Sequence, residues 1–368
     1  SDVCSSDLSQ EFVIGKDFRD IEKLSNLENE SYYFDMLGEA ARTMRQADNY
    51  FNAYMNAIDE VGKLNLIKNL NNGVSIKISA LHPRYEMRKF KDLESELIPR
   101  LIELVHYAHS KDVEITIDAE EQDRLTLSLN IIEKLALDKV IKNWTGFGIA
   151  LQAYGKRSIN VIHWINKILD KREKMHLRLV KGAYWDYEIK HAQVFGYEDY
   201  PVYSKKSLTD ISFLLCAKEI LKNEKIYAKF ATHNAHTISS VHQLGQGKDY
   251  EFQRLYGMGE LLYQSAEKVL NLEKKPSVYA PIGSYKDLLP YLVRRLLENG
   301  ANSSFINRLL DPETDANWLA ENPAIRIEKE KIDIPLPKNI FTERKNSLGF
   351  DLSENSNLEN LEKSISAY

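Results

Sequence analysis

The chain has 368 residues, 43% of them hydrophobic and 28% charged, which is typical of a globular protein with a large core. Its formal net charge of −5 excludes the basic excess of a nucleic-acid-binding domain. No apolar run approaches the roughly 20 residues of a transmembrane helix, and two cysteines are too few for a disulfide framework. We therefore expect a cytoplasmic protein with at most peripheral membrane contact and no nucleic-acid partner.

Residues 1–10 lack the periodicity of the rest of the chain, and we predict a non-native or disordered leader there. Short β-rich runs then alternate with amphipathic helical patterns. The eight runs cover residues 11–15, 33–37, 74–80, 114–118, 146–152, 176–181, 229–232 and 251–255. Such alternation predicts a parallel sheet with crossover helices, and eight units close naturally into a (β/α)8 barrel. An open doubly wound sheet is the alternative.

Polar residues cluster at or just after the carboxyl ends of these runs, and this favours the barrel, whose active site lies on that face. They are Glu39, Asp118, Gln152, Lys181, Thr232 and Gln253. We assign residues 11–322 to the barrel. Residues 323–368 become charged, proline-spaced and then rich in Asn and Ser, which predicts an extended arm or linker with little core of its own.

Lys77 lies inside an apolar run, between two isoleucines, so its side chain points opposite to theirs. An inward lysine near the barrel mouth would require a partner. Asp118, at the end of the next run, is the partner that we predict. An outward lysine that extends between helices to solvent is the alternative.

Residues 291–298 carry unusual chemistry on one face of a predicted helix. Tyr291, Arg294, Arg295 and Glu298 share one stripe, because they are spaced at i, i+3, i+4 and i+7. The opposite face is apolar: Leu292, Val293, Leu296 and Leu297. Two neighbouring guanidiniums suit a carboxylate or phosphate, and with Lys77 they would form an anion clamp. The alternative is a solvated charged face on an ordinary surface helix.

Two further segments contain groups suited to a ligand. In residues 176–185, Gly182 and Ala183 remove side-chain bulk beside the flat rings of Tyr184 and Trp185. His233 and His236 are spaced at i, i+3 without a third ligand, so we predict hydrogen bonding to a cofactor or a helix start and no metal. No dinucleotide fingerprint, P-loop, nucleophile elbow or zincin motif is present. From residue chemistry alone, the prediction stops at an anionic small-molecule site with aromatic walls.

Seven strings of residues, in order along the chain, carry a resemblance that goes further. They are DMLGEA at 35–40, IKISALHPRY at 76–85, IDAEE at 117–121, RLVKGAYW at 178–185, FATHNAH at 230–236, YEFQ at 250–253 and YLVRRLLENGAN at 291–302. The chain resembles the proline dehydrogenase domain of the proline utilization A family over roughly residues 11–310. Lys205 and Arg254 depart from the pattern that we expect.

The resemblance implies an α/β fold, a distorted (β/α)8 TIM-type barrel with a C-terminal helix over its mouth. It also implies non-covalent FAD and the oxidation of L-proline to Δ1-pyrroline-5-carboxylate by hydride transfer to flavin N5. That reaction is the first step of proline catabolism to glutamate, with the electrons passed to a quinone. The parent chain would add an aldehyde dehydrogenase module that oxidises L-glutamate γ-semialdehyde, so the sequence is expected to be a fragment.

Site residues are implied by the same resemblance. Lys77, Arg294 and Arg295 would hold the proline carboxylate, and Asp118 would orient Lys77. Leu255, Tyr279 and Tyr291 would wall the ring, with Ala183 and Tyr184 near flavin and substrate. The FAD contacts would be Gln152, Arg178, Val180, Gly182, Trp185, Thr232, His233, Asn234, Gln253, Glu298 and Phe305.

Two alternatives remain open from the sequence. One is a barrel lyase or aldolase that forms a Schiff base through Lys77 or Lys181. The other is a non-catalytic FAD-binding module.

Overall fold

A computed structural model describes residues 12–15, 17–18, 30–283, 291–294, 321–329 and 334–367. Eight parallel strands form a closed barrel in the order β1 to β8, with β1 also paired to β8. The strands are β1 Tyr32–Asp35, β2 Gly73–Ile76, β3 Glu114–Ile117, β4 Phe147–Gln152, β5 Met175–Val180, β6 Ile226–Ala231, β7 Tyr250–Leu255 and β8 Ser277–Pro281.

Helices connect the strands and cover the outside of the barrel. They are α1 Met44–Lys68, α2 Phe90–Glu96, α3 Ile98–Ser110, α4 Leu125–Ala136, α5 Ser158–Leu169, α6 Trp185–Phe195, α7 Lys206–Ile220, α8 Ala235–Leu244, α9 Glu260–Leu270, α10 Pro323–Lys329 and α11 Asn355–Ser366. α1 begins at Thr43, whose side chain accepts from Gln46 N, and ends at Asn69 in the left-handed conformation. None of the described helices is long and apolar enough to cross a membrane.

Successive side chains along a strand point alternately to the outside and to the interior of the barrel. In β3, Ile115 and Ile117 point outward and join the apolar core beneath the helices. Glu114 and Thr116 point inward, where they contact side chains of β5 and β6 across the barrel. The core therefore lies between sheet and helices, and the barrel interior is polar.

The predicted barrel is confirmed, but one of its eight predicted strands is wrong. Within 11–15, the described residues contribute only an isolated bridge from Gly15 to Ile282 and a hydrogen bond from Ile14 N to Pro281 O. The eighth strand is Ser277–Pro281, which was not predicted because the run is short and ends in proline. Proline is tolerated there because it is the last strand residue.

Residues 334–367 lie against the outside of the barrel. Glu354, at the start of α11, pairs with Arg157, and Gly349 N donates to Gly196 O at 3.0 Å. Tyr200 Oη donates to Pro335 O at 2.8 Å. α11 is a helix in a segment where the sequence predicted only an extended arm. The division into leader, barrel and arm stays a prediction, and residues 1–10 lie outside the described residues.

Candidate active site

A lysine between two carboxylates and a tyrosine occupies the barrel mouth. Lys77 follows β2 and points inward, as predicted; its Nζ lies 2.6 Å from Asp35 Oδ2 and 3.5 Å from Asp118 Oδ2. The predicted partner Asp118 is thus the more distant of the two, and Asp35 at the end of β1 is the closer. Tyr279 Oη lies 2.7 Å from Asp35 Oδ2 and 2.8 Å from Asp118 Oδ2. Because the phenol has one proton, Tyr279 donates to one of the two carboxylates at a time.

This cluster fixes the protonation of its members. Burial disfavours the Lys77 ammonium, but Asp35, with Tyr279 and Asp118, raises the pKa of Lys77 well above its usual value. Burial and the two carboxylates also raise the pKa of Tyr279 well above its usual value. Lys77 is therefore a permanent cation at neutral pH, and Tyr279 a neutral phenol.

Arg178, on β5, lies in the barrel interior below this cluster. Its Nη1 donates to Asp118 Oδ1 at 2.7 Å and to Ser75 Oγ at 3.1 Å. The guanidinium carbon is 5.1 Å from the ring centre of Tyr279 and 5.5 Å from that of Tyr33. Arg178 thus presents a buried positive charge that is held from several strands.

The helical turn at residues 291–294 places Arg294 toward the mouth. Its Nη1 and Nη2 donate to the two carboxylate oxygens of Glu39 at 2.9 and 3.0 Å. The guanidinium carbon also lies 5.1 Å from the ring centre of Tyr184. For Arg294, the stripe therefore faces the site rather than solvent. Arg295, Glu298 and Phe305 lie outside the described residues.

An apolar cluster joins this turn to the mouth. Buried Tyr291 packs in one group with Leu37 and Met258, and Leu255 and Tyr279 pack against that group. The structure thus brings together the three residues that were predicted to wall a substrate ring. Because Tyr279 also contacts Lys77, the apolar wall and the cation border one space.

The loop that carries Glu39 is strained and pinned. Leu37 and Ala40 have φ of 41° and 48°, in the left-handed region that non-glycine residues rarely adopt. Ala40 N donates to Ser79 Oγ at 2.9 Å, and Ser79 N donates to Glu120 at 3.1 Å. These contacts hold Glu39 at a defined place beside Arg294.

The ends of β4 and β5 form a second wall. Gln152 donates to Glu120 O at 2.7 Å and accepts from Ala183 N at 3.2 Å. Gly182 has φ of 138°, and a Cβ there would lie 2.4 Å from the Tyr154 ring, so glycine is required. Trp185 Nε1 donates to Tyr203 O at 2.9 Å, and Val180 ends β5 half-buried beside them.

The ends of β6 and β7 complete the rim. Asn234 caps α8 by accepting from Thr237 N, and His233 Nε2 accepts from Leu255 N at 3.1 Å. The cap of α8 is thus Asn234, and the cofactor or helix-start role of His233 and His236 stays a prediction. Thr232 Oγ1 accepts from Asn234 N at 3.2 Å. Within the described part of the chain, no group of three His, Cys, Asp or Glu side chains is arranged to hold a metal ion.

Arg254, which departs from the expected pattern, does not enter the site. It alternates with inward-facing Gln253 and therefore points out of the barrel, where its Nη2 lies 3.0 Å from Glu30. Its charge is neutralised away from the mouth.

Sequence reasoning missed several groups that organise the site. Asp35 received no role because the predicted run continued to residue 37, whereas β1 ends at Asp35. Ser75 and Thr116, beside Arg178, carried no signal beyond their alternation with isoleucine and valine.

Comparison with known proteins identifies the family. Residues 18–308 match the family model described as proline dehydrogenase. The chain is 43% identical over 385 residues to the bifunctional protein PutA of Klebsiella aerogenes, covering 97% of this chain and 29% of that protein. It is 44% identical over 356 residues to the Salmonella typhimurium PutA, covering 91% and 27%. The chain therefore spans less than a third of these curated relatives.

Solved structures agree with the sequence comparison. A mutant of Bradyrhizobium japonicum proline utilization A matches with a TM-score of 0.91 and 40% identity, covering 98% of this chain and 38% of that one. Proline utilization A from Bdellovibrio bacteriovorus, inactivated by N-propargylglycine, matches with a TM-score of 0.87 and 26% identity, covering 98% and 39%. Proline dehydrogenases are in general flavin-dependent. The chain belongs to the proline dehydrogenase family.

Proposed function

We propose that this chain oxidises L-proline to Δ1-pyrroline-5-carboxylate with FAD. The observation that carries the proposal is the mouth itself, where the cations Lys77 and Arg294 border an apolar wall of Leu255, Tyr279 and Tyr291. L-proline has one carboxylate and one small, largely apolar ring, so its two parts match the two kinds of surface. Membership of the proline dehydrogenase family supports the same reaction.

Buried polar atoms in the barrel interior fit a flavin. Gln253 Oε1, an acceptor, and Arg178 Nε, a donor, are buried without a hydrogen-bond partner among the described residues. A flavin ring presents both donors and acceptors along its polar edge, and unpaired buried groups are costly unless a ligand satisfies them. We assign FAD contacts to Gln152, Arg178, Val180, Gly182, Trp185, Thr232, His233, Asn234, Gln253, Glu298 and Phe305.

The chain's own residues would orient the substrate and exclude water. When bound, FAD supplies the acceptor for the hydride that leaves C5 of proline. Lys77, Arg294 and Arg295 hold the carboxylate and so fix which ring carbon faces the acceptor. Asp118 and Asp35 hold Lys77 protonated in place. The buried guanidinium of Arg178 favours negative charge in the barrel interior.

The Schiff-base alternative is disfavoured by the state of the two candidate lysines. A lysine must lose its proton to attack a carbonyl, and its carboxylate neighbours raise the pKa of Lys77 well above its usual value, despite burial. Lys181 is paired with Asp210. Each amine is therefore held by a carboxylate partner.

The whole protein would extend beyond this activity. The relatives from Klebsiella and Salmonella are called bifunctional, and we propose that the whole protein also oxidises L-glutamate γ-semialdehyde through an aldehyde dehydrogenase module. A quinone would accept the electrons, in a cytoplasmic enzyme with at most peripheral membrane contact. Residues 11–322 would form the catalytic barrel and residues 323–368 the connection to that module.

The decisive experiment is the visible spectrum of the purified chain with FAD, before and after anaerobic L-proline. We expect a flavin spectrum that bleaches with proline. A flavin that stays oxidised would indicate a binding module without this activity. Absence of flavin, together with substrate trapped by borohydride, would indicate a lyase.

Arginine variants test the carboxylate clamp in the same assay. R294M and R295M should each raise the KM for proline, on the order of 100-fold for a partly buried charge pair. R344M is the matched control, because Arg344 lies on the exposed ring of Phe341 in the arm. An unchanged KM in both single variants would remove the clamp assignment.

A further inference from the structure

Below Arg178, a histidine reaches across one strand to touch the same hydroxyl as the arginine. His176 lies two residues before Arg178 on β5, so both side chains face the barrel interior. His176 Nε2 is 2.9 Å from Thr116 Oγ1 on β3. Arg178 Nη2 is 3.5 Å from that same oxygen. Thr116 therefore links the imidazole to the guanidinium.

The intervening strand is shaped for this reach. β4 separates β3 from β5, and its residue opposite His176 is Gly148. A Cβ at Gly148 would lie 1.9 Å from His176 Cδ2 and 2.3 Å from Nε2. Only the absence of a side chain lets the imidazole lie over β4 and meet Thr116.

Burial and the charges around the imidazole keep the ring neutral. Burial, together with Lys229, Arg178 and Arg172, lowers the pKa of His176 well below its usual value, and Glu114 opposes this only in part. The ring is therefore neutral, with one donor and one acceptor. Nδ1 lies 3.8 Å from Glu114 Oε2, beyond hydrogen-bond distance, so the hydrogen bond of the ring is the one between Nε2 and the Thr116 hydroxyl.

Thr116 Oγ1 can hydrogen-bond both neighbours at once. A guanidinium can only donate, so Thr116 Oγ1 must present a lone pair to Arg178. The hydroxyl oxygen has two lone pairs, so one remains for Arg178 in either tautomer of His176. Asp118 and Ser75 hold one terminal nitrogen of the guanidinium, and Thr116 limits the position of the other.

We propose that His176 is a positioning residue that acts through Thr116 to fix the guanidinium of Arg178. The role rests on the proposed function, because its effect on catalysis requires Arg178 to contact bound FAD. Without the imidazole, Thr116 is less well fixed and no longer limits the position of Arg178 Nη2. The guanidinium then samples positions in which its contact with the flavin is weaker. Displacement by about 1 Å at a reacting centre can cost up to 100-fold in rate.

The test compares truncating and conservative variants of the chain loaded with FAD. H176N removes the reach to Thr116, H176Q restores an amide near the Nε2 position, and T116V removes the hydroxyl. H176N and T116V should each lower kcat roughly tenfold, with a KM for proline within twofold of wild type. H176Q should recover most of the loss. The double variant should lose no more than either single one, because both changes break one linkage.

The control is H82N. His82 is also a buried imidazole, but it hydrogen-bonds Glu96 outside the barrel interior. H82N should lower thermal stability and leave kcat unchanged. Two readouts need no proline turnover: the flavin midpoint potential from chemical reduction, and the Arg178 position in crystals. In H176N we expect a more negative potential, because the reduced flavin loses a positive neighbour, and a displaced guanidinium.

The outcomes separate this proposal from the proposed function. If wild type binds FAD but proline does not reduce it, the proposed function fails, while a shifted potential and displaced Arg178 in H176N still support positioning. If no FAD binds, comparison of the Arg178 position in crystals of wild type and H176N decides whether His176 positions the guanidinium. An H176N variant that loses only stability, with potential, kcat and Arg178 unchanged, overturns the role of His176.

Discussion

The two ends of the barrel interior contain the same three kinds of group in different settings. At the mouth, Lys77 contacts Asp35 and Asp118, and Tyr279 bridges them. At the opposite end, Lys229 lies 2.6 Å from Glu114 and contacts the Tyr33 hydroxyl. We call this second group, Tyr33, Glu114 and Lys229, the floor cluster.

What distinguishes the two clusters is their surroundings. The Lys229 side chain is 0% exposed and meets one close carboxylate, with Glu251 at the outer limit of 4.0 Å. The mouth cluster borders the Arg294 turn and the apolar wall. A lysine, a carboxylate and a tyrosine therefore occur at both ends, and the apolar wall that a bound ring would require borders the mouth cluster.

Replacement of the two lysines should separate the clusters most strongly. K77M should lower kcat/KM for proline on the order of 1,000-fold, because the substrate carboxylate loses a buried cation. K229M should leave proline kinetics near wild type and destabilise the fold by about 3–5 kcal/mol, because it leaves Glu114 buried without its cation. Steady-state kinetics and urea unfolding of both variants measure the contrast. Equal kinetic losses in the two variants would show that the clusters do not differ in function.

Glu188 provides a second comparison, because among the described residues no lysine or arginine pairs with its carboxyl, whereas both clusters contain a lysine. Its Oε1 accepts from Gln122 N at 2.7 Å, and burial raises the pKa of Glu188 to about 8. Between pH 6 and 8 the folded chain thus retains a proton that the unfolded chain has released. The free energy of unfolding should fall as pH rises through this window, on the order of 2 kcal/mol.

E188Q keeps the acceptor for Gln122 and removes the titration. Urea unfolding at several pH values should show a smaller fall for E188Q than for wild type. E103Q, at an exposed position of α3, is the control and should keep the wild-type slope. The same slope in E188Q and wild type would assign the pH dependence to other groups.

The two tyrosines should give the smallest contrast. Y279F removes the bridge between Asp35 and Asp118 and should lower kcat/KM about tenfold, the equivalent of one buried hydrogen bond. Y33F removes the hydroxyl contacts to Glu114 and Lys229 and should cost about 1–3 kcal/mol of stability without a kinetic change. Kinetics and thermal melting distinguish them, and a tenfold kinetic loss in Y33F would contradict the assignment.

The alternation of apolar runs with amphipathic helical patterns predicted the barrel, because seven of its strands are apolar runs separated by helices. The eighth could not be found that way: Ser277–Pro281 is five residues long, and its proline indicates a strand end only after the closure between β1 and β8 is known. Ile14 N donates to Pro281 O, so this segment lies against the barrel. Its buried apolar side chains, Phe12 and Ile14, alternate as they would in a strand, and this is why the pattern predicted one.

The site was predictable where a residue's chemistry conflicted with its setting, as for Lys77 and Arg294. The choice of partner was not predictable. Lys77 follows β2, which has β1 on one side and β3 on the other, so Asp35 and Asp118 are both within reach. The conformation of the Lys77 side chain, which the sequence does not give, places its Nζ closer to Asp35 than to Asp118. The floor cluster was missed because Tyr33, Glu114 and Lys229 are the first residues of their predicted runs, at the end opposite the expected active-site face.

The loop with Leu37 and Ala40 in left-handed conformations has a consequence for attempts to make this protein more heat-resistant. Each of these residues raises the energy of the folded state on the order of 1 kcal/mol, so a search for stabilising substitutions will favour glycine or asparagine there. Glycine would also give the loop more backbone freedom, so Glu39 would be held less firmly beside Arg294. At this loop, greater thermal resistance and a preorganised mouth are opposing design goals.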